Sequence, residues 1–489
     1  MSGSLWLKEE SAGLDALPAV PRPRPSWAAP DPVDELTGRL EEVIAAAVHP
    51  DEIAAVLESD GLTDDHIRLT YGRDSSFELA EDLYARVERT FPEPDGPPTG
   101  LWHTGLGDCL LRGLVFALPG LAYVLGAPLL AGPTGPPGLP PGTVPLLAGA
   151  VTGWVWNQAL SHRAYSWLGL GDRRAAALSL LRGAPAGALL GALVAFAAAA
   201  GPGEWGGALF AAGQAVYLAA ATVLLVLHRE RALLCALAPL VAGTPAAALL
   251  GLPGAARVVL LGTSLALAVA LAGRALLPAT APPAPGDGAS GAGGPRFAAS
   301  LPYGLFGLGT GGLVLYAAIG EVLAGGAGAA AAGPTAVALT LSMGPAEWLL
   351  YRFRAESLAG LRASTSPGAF RRASAGALAL CLSVYLAVLL ALAVTGTLLW
   401  PGAPDLGGTR LVALLLIGTV LWSALLLQAF GAALAAGLVC GAAAGAQTVA
   451  LATGTGDPAT AGAVVAGTAA VVLTALGAVL LGRATAHRV

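Results

Sequence analysis

The chain has 489 residues, of which 55% are hydrophobic and only 12% charged. Soluble domains carry about 25% charged residues, so most of this chain lacks the charge to cover a soluble surface. A collagen-like chain is excluded as well, because Gly is abundant without a triplet period. The composition leaves a polytopic, all-α membrane protein.

Charge is divided unevenly. Residues 1–100 hold 21 acidic and 8 basic side chains, and the remainder holds 10 acidic and 18 basic. An acidic segment of cytosolic type thus precedes a sparsely charged, mildly basic membrane body. Lys8 is the one lysine among 26 basic residues, a bias that fits a GC-rich, actinobacterial genome. Cys109, Cys235, Cys381 and Cys440 all fall in apolar runs and read as small buried hydrophobes, with no disulfide framework or metal site. No signal peptide is expected, since the first long apolar run begins after residue 105.

Residues 1–32 form a Pro-rich arm. Residues 33–91 show helical spacing in Val43, Ile44, Ala47 and in Ile53, Val56, Leu57. Asp51 and Glu52 follow Pro50 at a helix start. Thr63 is an N-cap before Ile67 and Leu69, and Ser75 or Ser76 caps a last helix carrying Phe77, Leu79, Leu83, Tyr84 and Val87. Three or four short helices in one small acidic bundle are expected. The rhythm suggests helix–turn–helix, but the second helix offers only Arg68 and Arg73 to phosphate, so no nucleic acid is expected. Asp60, Asp64 and Asp65 lack EF-hand spacing and read as a solvated face. A cytosolic protein partner is the expected ligand of this module, and residues 92–104 are a linker.

A span needs about 20 apolar residues. Twelve are expected: 108–130, 143–160, 175–199, 206–227, 232–252 and 255–276, then 301–324, 333–352, 373–399, 409–429, 431–452 and 460–481. They fall into six-helix halves at 105–277 and 301–482, joined by a Pro/Gly linker at 278–300 and followed by a tail at 483–489. Arg163, Arg173, Arg174, Arg229, Arg231, Arg354, Arg371 and Arg372 flank one side, and the opposite loops hold only Arg257 and Arg410. The positive-inside rule then puts both termini in the cytoplasm of a plasma-membrane protein.

The halves look duplicated. Gly153, Arg163, Ala164 and Ser166 recur as Gly344, Arg354, Ala355 and Ser357 at a constant offset of 191 residues. Gly113-Leu114 meets Gly304-Leu305 at the same offset, and Arg173-Arg174 matches Arg371-Arg372 after an insertion. An even number of spans per half implies parallel repeats, which enclose a cleft suited to alternating access.

Intramembrane polar residues are candidates for a substrate path. Asp108 and Arg112 lie four apart, positioned to pair. Asn157 and Gln158 follow Trp156 in the second span, and Glu347 occupies the repeat position of Trp156, beside Pro345 and within reach of Arg352. Gln214 and Gln428 add uncharged hydrogen-bonding groups. Glu321 is expected to reach water. Trp154, Trp156, Trp167 and Trp348 read as interface anchors. Arg163, Arg173, Arg174, Arg354, Arg371 and Arg372 are expected to contact the head groups of membrane lipids.

With its two parallel halves, sparse intramembrane charge and paired RAYS (163–166) and RAES (354–357) segments, the chain resembles lipid-linked oligosaccharide and polysaccharide flippases. These belong to the multidrug/oligosaccharidyl-lipid/polysaccharide export superfamily. The resemblance implies translocation of an amphiphilic cell-envelope precursor, a lipid-linked saccharide, without chemistry on it. The stretch GLGDRRAA (169–176) is similar, over Gly169, Asp172, Arg173 and Arg174, to the loop signature of the major facilitator superfamily, a second transporter reading. No P-loop, GxSxG or HExxH motif is present, so neither catalysis nor a cofactor is expected. A third reading is a membrane scaffold that recruits a partner through its acidic module.

Overall fold

The computed structural model describes residues 31–47, 49–88, 105–130, 142–280, 295–324, 333–399 and 407–487. The expected arm at 1–32 and the linkers at 92–104 and 278–300 lie largely outside these residues. Two compact units divide the chain, Met1–Thr99 and Gly100–Val489.

In the first unit five helices form where three or four were expected: α1 (Pro32–Arg39), α2 (Glu41–Ala46), α3 (Pro50–Ser59), α4 (Asp64–Tyr71) and α5 (Ser76–Arg86). The caps follow the sequence. Thr63 accepts from the His66 amide and Ser75 from the Glu78 amide, each satisfying one free N–H of a first turn. Gly72 ends α4 at φ +68°, a conformation that a Cβ disfavours. Ile44, Ile53, Leu57, Ile67, Leu79 and Leu83 are fully buried and close the core.

Two details of this bundle go beyond the helical spacing of its sequence. Leu69 is 89% and Phe77 55% exposed, because Ile67 and Leu79 already fill the inward faces of their helices. Asp60, Asp64 and Asp65 are exposed, as a solvated face requires, and Asp64 also has a structural role. It accepts from the buried Ser76 amide at 3.1 Å, while the Ser76 hydroxyl donates to Glu58 at 2.8 Å, so acidic side chains pin α5 to α3 and α4. Arg86 donates to Asp82 (3.0 Å) and Asp34 (2.8 Å), and Arg73 donates to Asp82 (2.6 Å). Hydrogen bonding from Arg86, with Arg73 beside it, holds the Asp82 carboxyl below the usual carboxylate range. Both arginines weighed for phosphate contact, Arg68 and Arg73, face carboxylates instead.

In the second unit the described secondary-structure elements are all helices. Its first half contains α6 (Leu106–Ala117), α7 (Ala122–Leu125), α8 (Thr143–Gly169), α9 (Arg173–Ala198), α10 (Trp205–Val226), α11 (Glu230–Leu250) and α12 (Gly254–Thr280). The second half contains α13 (Leu301–Leu323), α14 (Gly333–Leu341), α15 (Met343–Ala363), α16 (Pro367–Leu399), α17 (Thr409–Ala429), α18 (Ala433–Thr453) and α19 (Pro458–Leu481). Among the described residues ten helices are long and apolar enough to cross a membrane. Their outward faces carry Leu189, Leu193, Leu249, Val259, Leu398 and Val471 in exposed positions. Apolar side chains turned outward at this density belong against lipid. The chain is a polytopic helical membrane protein.

Two expected spans differ from the rest. The second, placed at 143–160, continues as α8 to Gly169 and carries Asn157, Gln158, His162 and Arg163, which lower its hydropathy. The eighth, placed at 333–352, is broken at Ser342 into α14 and α15. Pro345 has no N–H for the Leu341 carbonyl, and the Ser342 hydroxyl bonds to the Leu339 carbonyl (2.8 Å) and the Tyr385 hydroxyl (3.1 Å) at the break. Pro119 likewise interrupts the first span between α6 and α7. The tenth and eleventh spans are divided at Gly431, at φ +83°.

Helix pairing between the halves is exchanged. The first helix of the front half, α6, packs on α14 and α15 of the back half, and the first helix of the back half, α13, packs on α8 of the front. Each seam is a place of small residues. A Cβ on Gly344 would lie 2.6 Å from the Cys109 carbonyl oxygen, and one on Gly113 would lie 2.9 Å from the Gly344 nitrogen. At the other seam a Cβ on Gly307 would lie 2.8 Å from the Trp154 carbonyl oxygen.

Candidate functional site

The α6/α15 seam carries a charged cluster. Arg112 projects from the second turn of α6, where Gly113 lets the backbone of α15 approach. Its guanidinium donates through Nη1 to Oε1 of Glu347 on α15 and through Nη2 to Oε1 of Glu230 on α11, the latter at 3.1 Å. Tyr351, one turn beyond Glu347, donates to the same Oε1 at 3.3 Å. Side-chain exposures of 20–25% place the three charges in a partly desolvated setting, where ion pairing is stronger than at an open surface. Two carboxylates share one guanidinium, and the contact to Glu347 joins the two halves.

The expected Asp108–Arg112 pair does not form. Arg112 turns inward to Glu347 and Glu230 while Asp108 is exposed. Nor does Glu347 pair along its own helix: Arg352 bonds to Glu356 at 2.7 Å, leaving Glu347 free to reach α6. Glu230 was missed by sequence reasoning. It lies between Arg229 and Arg231, whose charges mask it in a loop count, and its place at the first residue of α11 was the available signal.

The remaining candidates are not gathered at this cluster by any direct bond. Gln158 packs against Gly307 at the α8/α13 seam, and Gln214 accepts from the Tyr123 hydroxyl at 3.2 Å. The amide oxygens of Asn157 and Gln428, with that of Gln447, are shut from solvent and have no hydrogen-bond partner among the described residues. Glu321 does not simply reach water; Arg410 grips it with two bonds, at 2.8 and 2.7 Å. This pair and Gln447 line a small cavity of about 90 Å³ within the second half.

The arginines assigned to lipid head groups divide into two sets. Arg163 donates to the Pro295 carbonyl (2.9 Å), beside His162, which bonds to Ser300 (3.1 Å) and stacks on Tyr303. Arg354 lies 5.5 Å from the Phe430 ring centroid. These repeat-related arginines thus have protein contacts. Arg173, Arg371 and Arg372 are exposed, and Arg174 is half-buried.

Two of the four tryptophans read as interface anchors pack between helices. Trp154 covers Gly311, and Trp156 lies in the notch made by Gly187 of α9, donating to the Gly183 carbonyl at 2.8 Å. Cys109, Cys381 and Cys440 are buried, whereas Cys235 is exposed.

Fold and cluster together define an integral membrane protein whose halves are bridged by charge. No protein family, curated protein or solved structure matches the chain.

Proposed function

We propose that the protein is a membrane transporter of flippase type, moving an amphiphilic lipid-linked saccharide by alternating access between two related six-helix halves. The observation that carries this reading is the contact of Arg112 with Glu347 across the α6/α15 seam, steadied by Glu230. Ion pairs that join two mobile bodies are candidates for a gate, because they form in one arrangement and part in the other. The exchanged packing of α6 on α15 and α13 on α8 supports a duplicated body, as it is the pairing that a two-fold relation between the halves would generate. With the gate engaged and Gly113 against Gly344, the two halves are apposed at this end of the seam.

The test is transbilayer movement of a fluorescent polyprenyl-diphosphate saccharide in vesicles carrying the full chain, read by protection from an impermeant quencher. Vesicles with the protein should equilibrate the label faster than empty ones, and Glu347→Gln should change that rate. Movement equal to that of empty vesicles overturns transport, and an unchanged rate in Glu347→Gln removes Glu347 from the path.

A scaffold is the second reading. The backbone-to-backbone seam at Gly113 and Gly344 favours it, together with the exposed Leu69 and Phe77 on the acidic domain. It gains if the chain moves no label yet retains a cytosolic protein through residues 33–91.

A further inference from the structure

We propose that a cavity between α8 and α9 binds the phosphate of an anionic membrane lipid. The cavity measures about 430 Å³ and is lined by Trp156, Arg163, Trp167, Ser179 and Arg182, with Phe297 from the segment that enters the second half. It has a definite construction. Gly183 and Gly187 admit Leu160 and Trp156 of α8 into the face of α9, so that a Cβ at either position would overlap those side chains. The two helices are thereby fixed against each other with the cavity beside their contact.

Its chemistry is that of an anion site with apolar walls. Among the described residues two guanidinium groups line it and no carboxylate does. Arg182 has no hydrogen bond or ion pair among the described residues, and it is exposed on a helix whose neighbouring Leu189 and Leu193 face outward. It lies nine residues into α9 from Arg173, about 14 Å along the axis. An arginine within a membrane helix is costly unless an anion meets it. Lipid phosphate is the anion at the membrane surface, and the long arginine stem lets the charge extend towards it. Arg163 directs one nitrogen to Pro295, which fixes its orientation toward the cavity while other donors of the guanidinium stay free for phosphate oxygens. Ser179 adds a polar side chain to the lining, its hydroxyl oxygen shut from solvent and without a hydrogen-bond partner among the described residues. Trp156, Trp167 and Phe297 supply the surface on which the acyl and glycerol portions lie. Free phosphate would use the same donors but gain nothing from these rings.

The site stands independently of transport. The experiment uses the full chain in detergent, titrated with phosphatidylglycerol or with phosphatidylcholine, and counts retained lipids by native mass spectrometry. Phosphatidylglycerol should be retained in preference, and Arg182→Gln and Arg163→Gln should each weaken it about fivefold. Arg182→Lys should keep most of the binding, and Arg274→Gln, an exposed arginine on α12, should leave it unchanged. Equal retention of the two lipids overturns the proposal, as does unchanged binding in Arg182→Gln. Loss of the lipid to excess inorganic phosphate overturns it in favour of a free-phosphate site. The selectivity of the unaltered chain is readable even if a variant fails to fold.

Discussion

Arg112 is the single cation between two carboxylates, and this asymmetry gives a testable order of stabilities. At the exposures found here an effective dielectric near 20 gives each guanidinium–carboxylate contact about 4–5 kcal/mol of Coulomb attraction, most of it offset by desolvation. Replacing Glu347 with Gln leaves Arg112 paired with Glu230 at 3.1 Å and removes the repulsion between the two acids. The loss should be about 1–2 kcal/mol. Replacing Arg112 with Gln strands Glu230 and Glu347 against each other without a counter-charge, and the loss should be about 3–5 kcal/mol. In the double variant Arg112→Gln/Glu347→Gln one unpaired acid remains, so stability should recover partway, a coupling that a double-mutant cycle isolates. The assay is the apparent melting temperature of the purified chain in detergent, compared at one protein and one detergent concentration. An Arg112→Gln variant that melts no lower than Glu347→Gln would refute the view that the arginine neutralises both acids.

Gly344→Ala should destabilise by about 1–3 kcal/mol, because its Cβ would meet the Cys109 backbone oxygen at 2.6 Å and helix backbone cannot yield as a side chain can; an unchanged melting temperature would contradict the seam. Asp82 has its folded pKa depressed by Arg86 and Arg73, so its contribution is present above the ordinary carboxylate pKa of about 3.9 and is lost as pH falls through the lower folded value. Circular dichroism of residues 1–99 in acid should show Asp82→Asn reducing that pH dependence, and an identical acid limb would remove the assignment. Ser342→Ala should cost about 1 kcal/mol, since it leaves the buried Tyr385 hydroxyl without its 3.1 Å partner, again read as a melting shift.

The membrane helices were legible because hydropathy and length are local properties. The helix at Thr409–Ala429 has the bounds its apolar run gives, and most others agree within a few residues. Pro345 marked a helix break beside Glu347, but the division of that span into two helices at Ser342 was not read, because the apolar run passes through it without interruption. Pairing was harder to read than placement. Arg112 has Asp108 four residues away, the natural partner along a helix, yet the residues it meets are 118 and 235 positions distant. No spacing rule reaches that far. What brings them together is a pair of glycines, Gly113 and Gly344, whose importance lies in the side chains they lack. Trp156 was misplaced for the same reason: an aromatic ring reads as an interface anchor until the glycine notch that receives it is seen across the helix contact.

The clasp of His162 and Arg163 on Ser300, Tyr303 and Pro295 bears on how the molecule is joined. All three partners lie at or beyond Pro295, in the stretch that leads into or begins the second half, and α6 meets α14 and α15, as α13 meets α8, through helix contacts of their own. A nick in the backbone between Thr280 and Pro295 would sever none of these fastenings. Covalent continuity at that point delivers the halves in equal number, and two separately encoded polypeptides would find in each other the same surfaces to close upon.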